Sequence, residues 1–84
     1  MKFEQIFDKL ISFQTISEIS NEEIINFIYD FLKKQNLNPQ KIQGHEGRFN
    51  LYCKIGPDRP GGVILSGHTD VVPVEGQKWS TNPF

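Results

Sequence analysis

Three apolar residues, Val63-Ile64-Leu65, run without a polar residue among them between Gly61-Gly62 and Ser66-Gly67. A strand with one wet face alternates apolar and polar side chains; a run without alternation predicts a strand covered on both faces. That demand constrains the fold more than anything else in the chain, because something must lie above and below residues 62–67. The run leads directly into His68-Thr69-Asp70, then a second apolar pair, Val71-Val72, and Pro73. The pattern is that of a central strand delivering a histidine and an aspartate to one edge of a sheet.

The preceding residues supply candidates for the covering layers. Phe3, Ile6, Phe7, Leu10 and Ile11 recur at i, i+3, i+4, i+7 and i+8, one apolar stripe on a helix over residues 3–13. Residues 13–19 break the pattern with Gln14, Thr15 and Ser17 and read as a loop. Ser20-Asn21-Glu22-Glu23 has the form of a capping box, with Ser20 accepting from the Glu23 N–H and Glu23 reaching back. Ile19 and Ile24 take the places of a hydrophobic staple. The glutamate pair suits the positive end of a helix dipole, which explains it without an acid–base role. The helix continues through Ile24, Ile25, Phe27, Ile28, Phe31 and Leu32 and ends near Asn36, with Lys33 and Lys34 in its last turns.

Residues 37–43 form a strand candidate that Pro39 places at an edge or limits to a few residues. Gly44-His45-Glu46-Gly47 reads as a turn. His45 is followed by Glu46, but an HExxH zinc motif needs a second histidine where Phe49 stands. Phe49, Leu51, Cys53 and Ile55 alternate with Asn50, Tyr52 and Lys54, a strand with one face on a core. Cys53 falls on that inner face, the place of a structural thiol. Gly56-Pro57-Asp58-Arg59-Pro60-Gly61-Gly62 is a loop. The order helix, helix, edge strand, strand, central strand predicts an α/β fold: two N-terminal helices packed on part of a mixed β-sheet, within one domain unit spanning residues 1–84.

Composition closes off several function classes. Nine basic residues balance ten acidic ones for a net charge of −1, and Lys33-Lys34 is the only adjacent basic pair. Neither nucleic acid nor an anionic membrane surface is an expected partner. No apolar stretch is long enough to cross a bilayer, and the N-terminus lacks the uninterrupted apolar core of a signal peptide. The single Cys53 cannot form an internal disulfide. A reducing, cytoplasmic setting is the expectation.

The chemistry concentrates at the end of the central run. Residues i and i+2 of extended backbone share a side, so His68 and Asp70 are placed together. An imidazole binds a metal through one nitrogen, and a carboxylate on the other nitrogen fixes the tautomer and raises ligand basicity. A bare His-x-Asp triplet is far more often structural or solvent-exposed than metal-binding, with the histidine a hydrogen-bonded core imidazole and the aspartate accepting backbone N–H bonds in the following turn.

The whole stretch from Gly61 to Phe84, with Ser66-Gly67-His68-Thr69-Asp70-Val71-Val72-Pro73 followed by Trp79 and Pro83-Phe84, resembles the first signature of a zinc-dependent metallopeptidase and deacylase family. That family includes acetylornithine deacetylases, succinyl-diaminopimelate desuccinylases, aminoacylases and carboxypeptidase relatives. Leu10-Ile11-Ser12-Phe13, Thr15-Ile16-Ser17 and Arg48-Phe49-Asn50-Leu51 extend the likeness upstream. Ser66 and Val74-Glu75-Gly76-Gln77 look most like the acetylornithine deacetylase branch. Gln14 departs from the family, where many relatives carry proline.

The resemblance implies a catalytic domain of zinc-exopeptidase type, of which these residues are an N-terminal portion. It implies hydrolysis of the amide in small N-acyl amino acids, with two zinc ions per site (cobalt as a substitute) and a homodimeric whole protein. It implies that His68 is a metal ligand and that Asp70 is the active-site carboxylate hydrogen-bonded to it. The bridging aspartate, the glutamate pair and the other ligands are expected after Phe84, so the 84 residues alone are expected to be inactive. The competing expectation is a non-catalytic module that associates through an uncovered strand edge. Trp79 is expected to anchor the loop before Pro83-Phe84.

Overall fold

A computed structural model describes residues 1–17 and 19–84; position 18, within the expected 13–19 loop, lies outside the described residues. Four elements follow one another: α1 (Phe3–Ser12), α2 (Glu22–Lys34), β1 (Gln40–Gln43) and β2 (Phe49–Tyr52). The α/β expectation holds, with both helices and the first two strands where periodicity places them.

The core is built on α2. Ile24 and Ile25, each 4% exposed, lie in its first turn, and Pro39 is buried just before β1. The helix packs on both strands. Phe27, one turn further on, meets Phe13 with ring centroids 5.7 Å apart and planes tilted by 48°. At the C-terminal end Asn36 adopts φ 62°, the left-handed conformation that ends a helix. The Leu37 N–H then reaches the Leu32 carbonyl at 3.2 Å and the Asn36 N–H reaches that of Lys33 at 3.0 Å, satisfying carbonyls the helix would leave orphaned.

The start of α2 differs from the expected capping box. Asn21 occupies the cap position and Glu22 opens the helix. Ser20 Oγ accepts from the Glu22 N–H at 3.2 Å and donates to the Gly47 carbonyl at 2.6 Å. The Asn21 amide is drawn instead to the sheet. Its Nδ2 donates to the Phe49 carbonyl at 2.8 Å, and its Oδ1 accepts from the Phe49 N–H at 2.7 Å. One side chain thus completes both hydrogen bonds of the first β2 residue and fixes the helix to the strand.

β1 and β2 pair antiparallel, with Gln40 opposite Tyr52 and Gln43 opposite Phe49. The turn between them falls where Gly44–Gly47 predicts it, closed by the Gly44 N–H on the Arg48 carbonyl at 2.8 Å. Lys41 leaves the sheet toward α2, donating to Asn26 Oδ1 at 2.6 Å with its ammonium over the Tyr29 ring. The alternation expected for residues 49–55 survives as half-buried Phe49, Leu51 and Cys53, but Ile55 is exposed.

Two expectations are corrected. Residues 62–67 form no strand: Val63, Ile64 and Leu65 are 87%, 91% and 93% exposed and join no ladder. An apolar run specifies that a strand is to be covered, but a strand exists only through a hydrogen-bonded neighbour, and the β1–β2 pair does not extend to this segment. Likewise α1 buries none of its residues, and Phe3, Phe7 and Ile11 of its apolar stripe face solvent. The accessible surface is accordingly 7367 Å², against about 5,100 Å² for a compact folded chain of this mass. The radius of gyration is 15.0 Å, against about 12 Å for a compact chain of this length.

Candidate functional site

The segment bearing His68 and Asp70 is held by the connection between the two helices. The Val71 N–H donates to the Thr15 carbonyl at 2.9 Å and the Ser17 N–H to the Val71 carbonyl at 3.2 Å, making a parallel bridge between Ile16 and Val71. Thr15, 6% exposed, adds its hydroxyl to the Thr69 carbonyl at 2.5 Å. Three residues of the expected loop therefore grip three residues that follow the apolar run. The bridge holds the chain just past Asp70, and residues 68 and 70 lie on one side, as their spacing requires.

On that side the His68 Nδ1 lies 2.7 Å from Asp70 Oδ1 and 3.1 Å from the Asp70 carbonyl. An ionised carboxylate and a carbonyl only accept, so this contact places a proton on Nδ1, and in the neutral imidazole the lone pair is then on Nε2. The second carboxylate oxygen, Oδ2, accepts from the Ser17 hydroxyl at 3.0 Å. Both bonds favour the charged carboxylate. The Ser17 hydroxyl foremost, and then His68, hold the Asp70 carboxyl below the usual aspartate range. The side chains of His68 and Asp70 remain largely in solvent.

His68 stands between two open clefts. One is apolar, with a volume of about 460 Å³, and includes Phe7, Val72, Trp79 and Phe84 in its walls. Trp79 shares it with Pro83 and Phe84, and its indole N–H donates to Gln77 Oε1 at 3.0 Å. The other is mixed in character, with Ile25, Ile28 and Leu51 in its walls beside Ser17, Arg48, Asn50 and Asp70. Arg48 Nε is buried there with no hydrogen-bond partner among the described residues. His45, in the hairpin turn, borders the same mixed cleft.

An imidazole with one nitrogen committed to a carboxylate and the other bare fits one ligand position of a zinc site. Among the described residues no group of three or more His, Cys, Asp or Glu side chains comes together. Catalytic zinc takes three protein ligands, so the chain fits one corner of such a site. Serine–histidine chemistry is not a substitute. The Ser17 hydroxyl donates to the carboxylate and not to the imidazole, so no base is placed to activate it as a nucleophile.

Sequence reasoning placed His68 and Asp70 together but missed Thr15 and Ser17, whose partners lie 54 and 53 residues away. A signal was present: Thr15-Ile16-Ser17 alternates two hydroxyls about one apolar residue, the period of extended backbone. No helix is long and apolar enough to cross a membrane among the described residues.

No protein-family model matches this chain, and no solved structure matches it. Curated proteins do. The chain is 33% identical over 90 aligned residues to the acetylornithine deacetylase of Shigella sonnei (strain Ss046), an alignment covering 98% of this chain and 23% of that protein. It is 34% identical over 90 residues to the acetylornithine deacetylase of Photorhabdus laumondii subsp. laumondii, again across 98% of this chain and 23% of the relative. The chain thus spans about a quarter of the length of these relatives. The resemblance carried by Ser66–Pro73 and its flanks extends over nearly all of its residues.

Proposed function

We propose that these 84 residues are part of the catalytic domain of a metal-dependent amide hydrolase of the acetylornithine deacetylase kind, with His68 as a metal ligand through Nε2 and Asp70 as its orienting carboxylate. The observation that carries the reading is the 2.7 Å contact from His68 Nδ1 to Asp70 Oδ1, within a segment similar to proteins of that name. The carboxylate selects the tautomer whose free nitrogen a divalent ion takes. A bound pair of zinc or cobalt ions would supply Lewis acidity at the substrate's amide carbonyl. His68 contributes a fixed lone pair to that centre, and Asp70 contributes direction and basicity without leaving the histidine. The remaining ligands and the general base come from outside these residues, so the isolated chain turns over no substrate.

N-Acetylornithine is the proposed substrate, yielding ornithine and acetate, in a cytoplasmic homodimeric enzyme. The branch likeness of Ser66 and Val74–Gln77 and the names of the relatives support that choice. The uncovered apolar run at residues 63–65 supports the domain reading, because its sheet neighbours would then be supplied by the rest of the polypeptide.

The test is His68→Ala in the full-length polypeptide. Bound zinc, counted by atomic emission after dialysis, should fall by one ion per site, and release of ornithine from N-acetylornithine should fall at least about a hundredfold. Unchanged zinc content would remove His68 from the metal site. Wild-type protein that hydrolyses N-succinyl-diaminopimelate in preference to N-acetylornithine would keep the chemistry and reject the substrate.

A further inference from the structure

The geometry points to Ser17 as a positioning residue for His68, acting through Asp70. The three side chains form one chain of hydrogen bonds: the Ser17 hydroxyl to Asp70 Oδ2 at 3.0 Å, and His68 Nδ1–H to Asp70 Oδ1 at 2.7 Å. A carboxylate tied at one oxygen is free to turn about its Cβ–Cγ bond. Tied at both, its plane is set, and the imidazole bonded to it is set with it. An aspartate this exposed has little packing to hold its rotamer, so the second bond carries the orientation.

Ser17 is itself placed by backbone. Its N–H donates to the Val71 carbonyl at 3.2 Å, one residue beyond Asp70, and the neighbouring Val71 N–H returns to Thr15. The hydroxyl has a second acceptor in reach, the Val71 carbonyl, but at 3.4 Å that is the longer contact and the carboxylate the stronger acceptor. The Asp70 carbonyl, 3.1 Å from Nδ1, remains an acceptor when the carboxylate turns away. Loss of Ser17 therefore loosens the tautomer without abolishing it. The effect on the tautomer stands independently of any metal; the effect on metal affinity rests on the deacylase reading above.

The experiment uses the full-length polypeptide with ¹⁵N-labelled histidine, metal removed, at neutral pH. His68 signals are assigned by their disappearance in His68→Ala. In the wild type the two ring nitrogens should be widely separated, Nδ1 protonated and Nε2 bare. In Ser17→Ala their separation should shrink toward the average of the two tautomers, while Ser17→Thr, which keeps the hydroxyl, preserves it. Ser17→Cys, nearly isosteric with a much weaker donor, should shift in the same direction as Ser17→Ala and guards against an alanine variant that does not fold. Titration with zinc alone should show roughly tenfold weaker binding in Ser17→Ala, the low end of what outer hydrogen-bond partners of metal-bound histidines carry. In an Asp70→Ala background, Ser17→Ala should change nothing further.

Unaltered ring-nitrogen shifts in both Ser17→Ala and Ser17→Cys would overturn the proposal. So would an undiminished effect of Ser17→Ala in the Asp70→Ala background, because Ser17 would then act by another route. Failure of the deacylase reading looks different: the wild type would bind no zinc through His68 while the tautomer shifts still followed Ser17.

Discussion

The α2–hairpin unit and the segment from Gly61 to Pro73 are both rich in apolar residues, yet only one of them is a core. In the first, Ile24 and Ile25 are buried, Asn21 ties helix to strand, and β1 and β2 satisfy each other. In the second, three apolar residues stand in water and the backbone is held where residues 69–71 meet residues 15–17. The difference lies in where the partners are. Those of α2 lie within about thirty residues of it, whereas none of the four elements covers the 63–65 run. Hydrophobicity measures the demand for a neighbour, and the neighbour has to come from elsewhere.

The sharpest way to break the comparison is a pair of truncations in the 84-residue chain, read by urea denaturation. Ile25→Ala should destabilise the α2–hairpin unit by about 2 kcal/mol, the low end for a buried isoleucine because this core is small. Leu65→Ala should change stability by less than about 0.5 kcal/mol, as an exposed substitution does. Equal losses would mean that the 63–65 run has found cover and that the contrast is false.

Next in size is Asn21→Ala, which strips both backbone groups of Phe49 of their partners. About 1–2 kcal/mol should be lost, and the amide of Phe49 should lose its protection from hydrogen exchange. Retained protection would show that Asn21 is dispensable to the joint between α2 and β2.

The smallest effect belongs to the exposed segment. The Ser17 hydroxyl and His68 hold the Asp70 carboxyl below its ordinary range. A depressed carboxylate contributes stability above the unfolded-state pKa and loses it as pH falls through the folded-state value. Carboxyl ¹³C NMR should therefore give Asp70 a midpoint below that of an unperturbed aspartate, and Ser17→Ala should move it upward. A normal midpoint in the wild type would mean that the bonds at the bridge do not persist in solution.

How much was legible follows the same division. The stripe of Phe3, Ile6, Phe7, Leu10 and Ile11 announces α1, and Pro39 announces that the 37–43 strand is short, because both signals are local. The proximity of His68 and Asp70 is local too, a matter of period two. The cap at α2 was misread because Asn21 answers to Phe49, 28 residues on. Ser17 was missed because its role exists only once Asp70, 53 residues away, is folded against it. The burial of α1 and of residues 62–67 could not be judged from pattern alone, since pattern names the face and not what lies on it.

The bridge between Ile16 and Val71 has a consequence for the order in which structure is acquired. The helices and the hairpin close over short stretches of chain, whereas the bonds joining residues 15–17 to 69–71 close a loop of more than fifty residues. Loop closure grows entropically costlier with length, and distant pairings follow near ones. The imidazole and its carboxylate can meet as neighbours in sequence, but their bearing on the rest of the molecule waits on the closure of that long loop. Of these bonds, those of the buried Thr15 are shielded, while the Ser17–Asp70 bond stands open to water.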